Sequence, residues 1–182
     1  MGFLPTLLTT RLRLCPFITE DAPDVERLAG DRAVAANIPV MPHPYPPGAA
    51  VAWIATHPGA FEKGRELTLA ITSGGERRQL FGAITLHLNG LHAHAELGFW
   101  LGREHWGHGY ATEASRALVK HAFEDLGLHR VFAHRLVRNE GSGRVLRKIG
   151  MVEEGMRRQH VRVFGVFEDV VEYGLLRDEQ AR

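Results

Sequence analysis

The chain has 182 residues, 45% hydrophobic and 24% charged, which fits one globular domain over residues 1–182 better than two. Lysine plus arginine total 22 against 21 aspartate plus glutamate, a net charge of +1, so no bulk field draws it to nucleic acid or an anionic membrane. The one cysteine, Cys15, excludes an internal disulfide framework and agrees with a reducing, cytoplasmic setting, and no apolar run approaches the ~20 residues that span a bilayer.

Met1-Gly2-Phe3-Leu4-Pro5-Thr6 fits the loose pattern for N-myristoylation, which chance also produces, and the chain reads as untargeted. Residues 10–17 alternate apolar and basic side chains, as a half-buried first strand does. Thr19 sits where an N-cap belongs, with Glu20, Asp21 and Asp24 in the first turn, and predicts a helix to about Ala29. Prolines make residues 39–47 a loop. A helix over residues 49–61 follows, ended or distorted at Pro58-Gly59. Residues 67–72 and 80–88 read as a hairpin around the polar turn at 73–78, and residues 93–101 as a further strand. Residues 112–126 place Ala114, Leu118, Val119, Ala122 and Phe123 on one helical face, with Gly127 as C-cap. A strand at 131–137, a short helix at 145–149 and two strand-like runs about Gly165 complete a mixed α/β sheet. The apolar stretch at 164–171 would make an edge able to pair two chains as a homodimer.

Trp106-Gly107-His108-Gly109-Tyr110-Ala111-Thr112 runs from a strand into a helix. Such a turn gathers unpaired N–H groups at the positive end of the helix dipole, and glycines let the main chain approach an anion closely. A dinucleotide fingerprint needs a third glycine early in the chain, and a P-loop needs Gly-Lys-Ser/Thr; neither is present. Two glycines alone also suit a plain strand-to-helix turn.

The flanks are more specific. Glu96-Leu97-Gly98-Phe99-Trp100-Leu101, the Trp106–Ala114 segment, and Asn139-Glu140-Gly141-Ser142-Gly143-Arg144 through Lys148 to Met151 resemble the GNAT superfamily, in its ribosomal-protein-acetylating branch. The opening residues 10–14 and closing residues 169–176 match it too, so the likeness covers nearly the whole chain. Trp106 stands where the superfamily usually has Gln or Arg, a departure familiar in that branch.

The resemblance implies a mixed, mostly antiparallel sheet flanked by helices, whose fourth and fifth strands splay to admit pantetheine as a surrogate strand. It implies acetyl-CoA as cosubstrate and acetyl transfer to an amine, such as a protein N-terminus or a small amine of the polyamine or aminoglycoside kind. A catalytically silent CoA-binding module is the alternative. Phe99, Trp100 and Leu101 would offer main-chain hydrogen bonds to pantetheine and one N–H to the thioester oxygen. Trp106, Gly107, His108, Gly109, Tyr110, Ala111 and Thr112 would hold the pyrophosphate. Asn139 would touch CoA from the other side, and Lys148 or Arg144 its outer phosphates. Ser142 would protonate the leaving thiolate, and Glu96 would act as base through water.

Two of these roles have structural counterparts: Ser142 as a helix N-cap, and Glu96 as an ion-pair partner. Trp53, Trp100 and Trp106 suit a core or pocket wall. His92 and His94, on one strand face, with His105 and His108 nearby, raise a zinc site; however, the spacing is not His-Glu-x-x-His, and no metal is expected. Arg157, Arg158, His160 and Arg162 form a basic patch suited to a solvated hairpin face or a substrate-facing edge rather than to RNA.

Overall fold

The computed structural model describes residues 3–75 and 78–180. Met1 and Gly2 of the N-terminal pattern, and Glu76 and Arg77 of the hairpin turn, lie outside the described residues. In chain order the elements are β1 (Leu7–Leu8), β2 (Leu12–Cys15), α1 (Ala22–Ala29), α2 (Arg32–Ala35), α3 (Ala49–Glu62), β3 (Glu66–Ser73) and β4 (Leu80–Asn89). Then come β5 (His94–Leu101), α4 (Tyr110–Glu124), β6 (Arg130–Leu136), α5 (Glu140–Lys148), β7 (Val152–Val163) and β8 (Val166–Leu176).

The strands form one sheet in the order β1-β2-β3-β4-β5-β6-β8-β7. Its neighbours pair antiparallel, except that β5 and β6 run parallel. That parallel ladder is short: His94 faces Arg130, Ala95 faces Val131 and Glu96 faces Phe132. Beyond it β5 continues against β4 as far as Leu101, and β6 continues against β8 as far as Leu136. The two strands therefore diverge. They are fifth and sixth rather than fourth and fifth, because Leu7–Leu8 adds a strand before the one expected first.

Alternation along β5 divides the core. Ala95, Leu97 and Leu101 pack with Ala114, Leu118, Ala122 and Phe123 of α4 and Leu146 of α5. On the opposite face Trp100, Ala83 and Ala70 pack with Val25 and Leu28 of α1 and Ile54 of α3. The gap between β5 and β6 thus opens between two helical layers.

Several boundaries differ from expectation. Thr19 does not cap a helix; it starts a 3-10 turn in which Asp21 Oδ2 accepts the Ile18 N–H at 3.0 Å. α2, closed by Asp31 Oδ1 on the Ala33 N–H at 2.7 Å, was not foreseen. α3 passes through Pro58 to Glu62, since a proline removes one helical bond and the turn beyond it is closed by Lys63 N–H to Gly59 O. α5 starts at Glu140, because Asn139 Oδ1 accepts the Ser142 N–H at 3.1 Å; Asn139, not Ser142, is the cap. β7 begins at Val152 and is mostly exposed, which erases the alternation a strand would show. β8 lies inside the sheet between β6 and β7, so the apolar stretch at 164–171 is not its edge; β7 is.

Candidate active site

After β5 the chain makes a 3-10 turn at Arg103–His105 and enters α4 through Gly107 and Gly109, both left-handed at φ 79° and 80°. A side chain would be strained at either. Gly109 is the N-cap and brings no side-chain acceptor, and the first helical bond runs from Glu113 N–H to Gly109 O at 3.1 Å. The N–H groups of Tyr110, Ala111 and Thr112 therefore emerge from the helix end without an intrahelical partner. These three residues line a cleft of about 590 Å³.

The turn is pinned from both sides. Trp106 Nε1 donates to Leu101 O at 2.8 Å, and Arg11 Nη1 donates to His108 O at 2.9 Å. Arg11 also grips Glu113 Oε2 at 2.7 and 2.6 Å and lies 4.8 Å over the Tyr110 ring, while Thr9 Oγ1 donates to Glu113 Oε1 at 2.6 Å. Thr9 and Arg11 had no local signal, since β1 and β2 lie far from the turn in sequence.

The residues expected to hold the cofactor converge. Phe99, Trp100, Leu101, Trp106, Gly107 and Gly109 line one part of the cleft; Asn139, Ser142, Arg144 and Lys148 line another. His108 is the exception, for its ring stacks on Tyr110 at 5.5 Å and its carbonyl serves Arg11. Residues 97–101 of β5 face the gap with no partner on β6, so main-chain donors and acceptors along that edge stay available to an extended ligand.

Ser142 is carried by a firmly seated helix end. Arg135, 8% exposed, pairs with Glu140 Oε1 at 2.7 Å and donates to Val137 O at 2.7 Å. Arg138, also in the cleft wall, ties three elements: it grips Glu168 at 2.7 and 2.9 Å, Asn37 Oδ1 at 3.1 Å and Ala36 O at 2.5 Å. His105 lines the cleft as well, stacked on Phe81 at 4.2 Å, and burial pushes its pKa down. Neither arginine carries a local signal in the sequence, and His105 enters the sequence reading only as a metal-ligand candidate.

Glu96 stands outside the cleft wall, half-buried on the α1/α3 face, with Oε1 2.9 Å from His134 Nδ1. The hydrogen bond to His134 holds this carboxyl below its ordinary value, and the same bond holds His134 above the ordinary imidazole value. Glu96 is thus an ion-pair partner in fact.

His92 lies in the turn before β5 rather than on the strand, 5.7 Å from the His94 ring. Among the described residues no group of three or more His, Cys, Asp or Glu side chains could hold a metal ion, and no helix is long and apolar enough to cross a membrane.

Residues 11–152 match the family model described as an acetyltransferase (GNAT) domain. YdaF of Bacillus subtilis (strain 168) is 43% identical over 101 residues, 55% of each chain. The ribosomal-protein-serine acetyltransferase of Escherichia coli (strain K12) is 30% identical over 103 residues, 56% of this chain and 58% of that one. The chain thus spans somewhat over half the length of these curated relatives. A solved GNAT-family acetyltransferase from Bacillus anthracis superposes with a TM-score of 0.85 at 26% identity, covering 96% of this chain and all of that one. With the family model covering most of the sequence and the divergent strands and glycine turn in place, this chain belongs to the GNAT acetyltransferase family.

Proposed function

We propose that the chain transfers the acetyl group of acetyl-CoA to an amine, with a protein N-terminal α-amine as the acceptor. One observation carries this reading: the unpaired edge of β5 at residues 97–101 leads directly to the bare N-terminus of α4. An extended amide chain ending in a diphosphate matches both features.

On this reading Tyr110, Ala111 and Thr112 direct their N–H groups at the pyrophosphate, while Arg144 and Lys148 reach the outer phosphates. Phe99, Trp100 and Leu101 pair with pantetheine through the main chain. One of their N–H groups steadies the oxyanion that forms when the amine attacks, an effect on the order of 3 kcal/mol in comparable sites. Ser142 delivers a proton to the departing thiolate, whose pKa resembles that of cysteine at about 8.5. Removal of the acceptor's proton falls to the Glu96–His134 pair, acting through water. An α-amine near pKa ~7.8 asks less of that base than a lysine amine near ~10.4. The ribosomal-protein-serine acetyltransferase among the relatives supports this acceptor class.

The test is release of free thiol from acetyl-CoA over four acceptors: a peptide with a free N-terminal serine, the same peptide blocked at its terminus, spermine and kanamycin. Turnover of the free peptide and not of the blocked one is expected. Faster turnover of spermine or kanamycin would overturn the acceptor class alone. Binding of CoA without turnover of any acceptor would overturn catalysis and leave a silent CoA-binding module.

A further inference from the structure

On the sheet face that packs against α1 and α3, ionisable side chains form a row across the strands. Glu66 on β3 lies 3.2 Å from His87 on β4, Glu96 on β5 lies 2.9 Å from His134 on β6, and Glu172 on β8 lies 2.7 Å from Arg157 on β7. Register builds the row: Glu66 faces His87, His87 faces Glu96, and His134 faces Glu172.

His134 has the most telling position in that row. Glu96 contacts its Nδ1, so the Nδ1–H donates to the carboxylate and the free lone pair is left on Nε2, the arrangement a histidine needs to accept a proton. Because Glu96 is level with Phe132, His134 lies two residues nearer the open end of the gap, about 6–7 Å along the strand. The β5 residue at that height is Gly98, where a Cβ would meet nothing within 4 Å. The next β5 residue on the same face, Trp100, lines the cleft. Open space above Gly98 therefore lies between the cleft residue Trp100 and the imidazole.

We propose that His134, oriented by Glu96, is the general base that takes the acceptor's proton through one bridging water above Gly98. This rests on the acetyl-transfer reading given above and deepens it, making Glu96 a positioning residue rather than the proximate base. His134 Nε2 takes one proton from the ammonium R–NH3+. The freed nitrogen lone pair forms the C–N bond at the thioester carbon. The C–S bond then breaks with its electron pair on sulfur, and the second nitrogen proton passes to sulfur by way of the Ser142 hydroxyl. Amide and thiol leave, and the His134 imidazolium returns its proton to solvent.

The charged groups facing His134 are Glu96 from β5, Glu172 from β8 and Arg157 from β7, with His87 of β4 behind Glu96. The bond to Glu96 is the largest influence, and it keeps His134 protonated to a higher pH than a free imidazole. The rate should therefore rise with pH through an acidic limb above about 6.5.

The test compares kcat/KM against pH for the wild type and His134→Gln, using acetyl-CoA and whichever of the four acceptors turns over fastest. Calorimetric binding of acetyl-CoA serves as the check on folding. His134→Gln is expected to lose the acidic limb, with a rate loss on the order of 100-fold near pH 7.5 that shrinks toward pH 6 as His134 becomes protonated. The loss should shrink as the pH passes the amine's own pKa of ~7.8, with acetyl-CoA affinity unchanged. Gly98→Val, which fills that space, should raise the acceptor KM about tenfold or more, a larger change than in acetyl-CoA affinity. A wild-type profile in His134→Gln, or a loss equal at every pH, would overturn the assignment. So would loss on Glu96→Gln with none on His134→Gln, which would return the base to Glu96. Absence of turnover by the wild type on all acceptors is a separate result that overturns acetyl transfer itself, and this assignment with it.

Discussion

Replacing Gly143 of α5 by alanine has a sign that packing decides. At an unhindered helical position alanine is favoured over glycine by about 1 kcal/mol. Here the new Cβ would stand 2.6 Å from Nε, 3.0 Å from Cδ and 3.2 Å from Cζ of Arg135. That side chain is no flexible end. It is 8% exposed, and its guanidinium is held by Glu140 Oε1 at 2.7 Å, Val137 O at 2.7 Å, Leu136 O at 3.3 Å and Tyr173 Oη at 3.4 Å. Overpacking of this kind costs ~1–3 kcal/mol, and outright rupture of a buried pair ~3–5 kcal/mol. Against the helical gain of about 1 kcal/mol, even the milder case leaves Gly143→Ala destabilised by up to about 2 kcal/mol, a fall in Tm of up to roughly 8 °C for a chain of this size. kcat should fall as well, because Ser142 precedes the displaced residue and Asn139 caps the same turn. Thermal unfolding by circular dichroism reads the first effect. Gly141→Ala is the control: its Cβ meets only Asn139 Oδ1 at 3.4 Å, and it should be neutral or slightly stabilising. A higher Tm for Gly143→Ala than for the wild type would refute the claim that Arg135 is immovably seated.

Three further outcomes are expected. Gly109→Ala places a side chain at φ 80°, a strain of about 1–2 kcal/mol; acetyl-CoA affinity by calorimetry should fall about tenfold, and an unchanged Kd would show that the turn is not the cradle. Arg11→Met removes the donor to His108 O and the partner of Glu113, and should weaken acetyl-CoA binding several-fold while sparing the acceptor KM; an effect confined to the acceptor KM would contradict the clamp. His57 is buried between Phe17 and Trp53, and both ring nitrogens lack a hydrogen-bond partner among the described residues; burial pushes its pKa down to about 4. The unfolded chain, with an ordinary value near 6.5, takes the proton first, so stability is full above about pH 6.5 and falls toward pH 4 by up to ~3 kcal/mol. His57→Phe should flatten that slope in urea unfolding between pH 4.5 and 7, and an unaltered slope would exclude His57 as its source.

Elements with a clear apolar pattern bounded by polar turns were legible in the chain itself. α4 carries its apolar stripe from Ala114 to Phe123, and β3, β4 and β5 fell within a residue or two of their expected ends. β7 was not legible over its first half, because Val152 to His160 is exposed on both faces of an edge strand and no periodicity survives there. The early start of α5 was hidden by two glycines, Gly141 and Gly143. Gly143 is required by Arg135 and so says nothing about helix propensity. The residues expected to hold the cofactor, His108 apart, line one cleft because the turn, the end of β5 and the start of α5 each carry a compact local pattern. Arg11, Arg138 and His134 escaped because each acquires its meaning from a strand register or a distant loop, and no local spacing encodes that.

On the proposed assignment of acid and base, the divergence of β5 and β6 has a chemical role. Ser142 and the α4 terminus belong to one helical layer, while Glu96 and His134 belong to the other sheet face. A thioester lying along β5 and an amine arriving from the α1/α3 side can meet only where the sheet is open, and the ladder stops at Glu96 and Phe132. Two more rungs would bond β5 to β6 past Gly98 and seal the passage between the faces. The glycine turn, by contrast, is proposed to hold the pyrophosphate with main-chain N–H groups, which do not change state in the reaction. Anchoring can therefore be rigid, with Arg11, Trp106 and Glu113 fixing the turn, while proton removal and proton delivery stay on opposite faces of one gap.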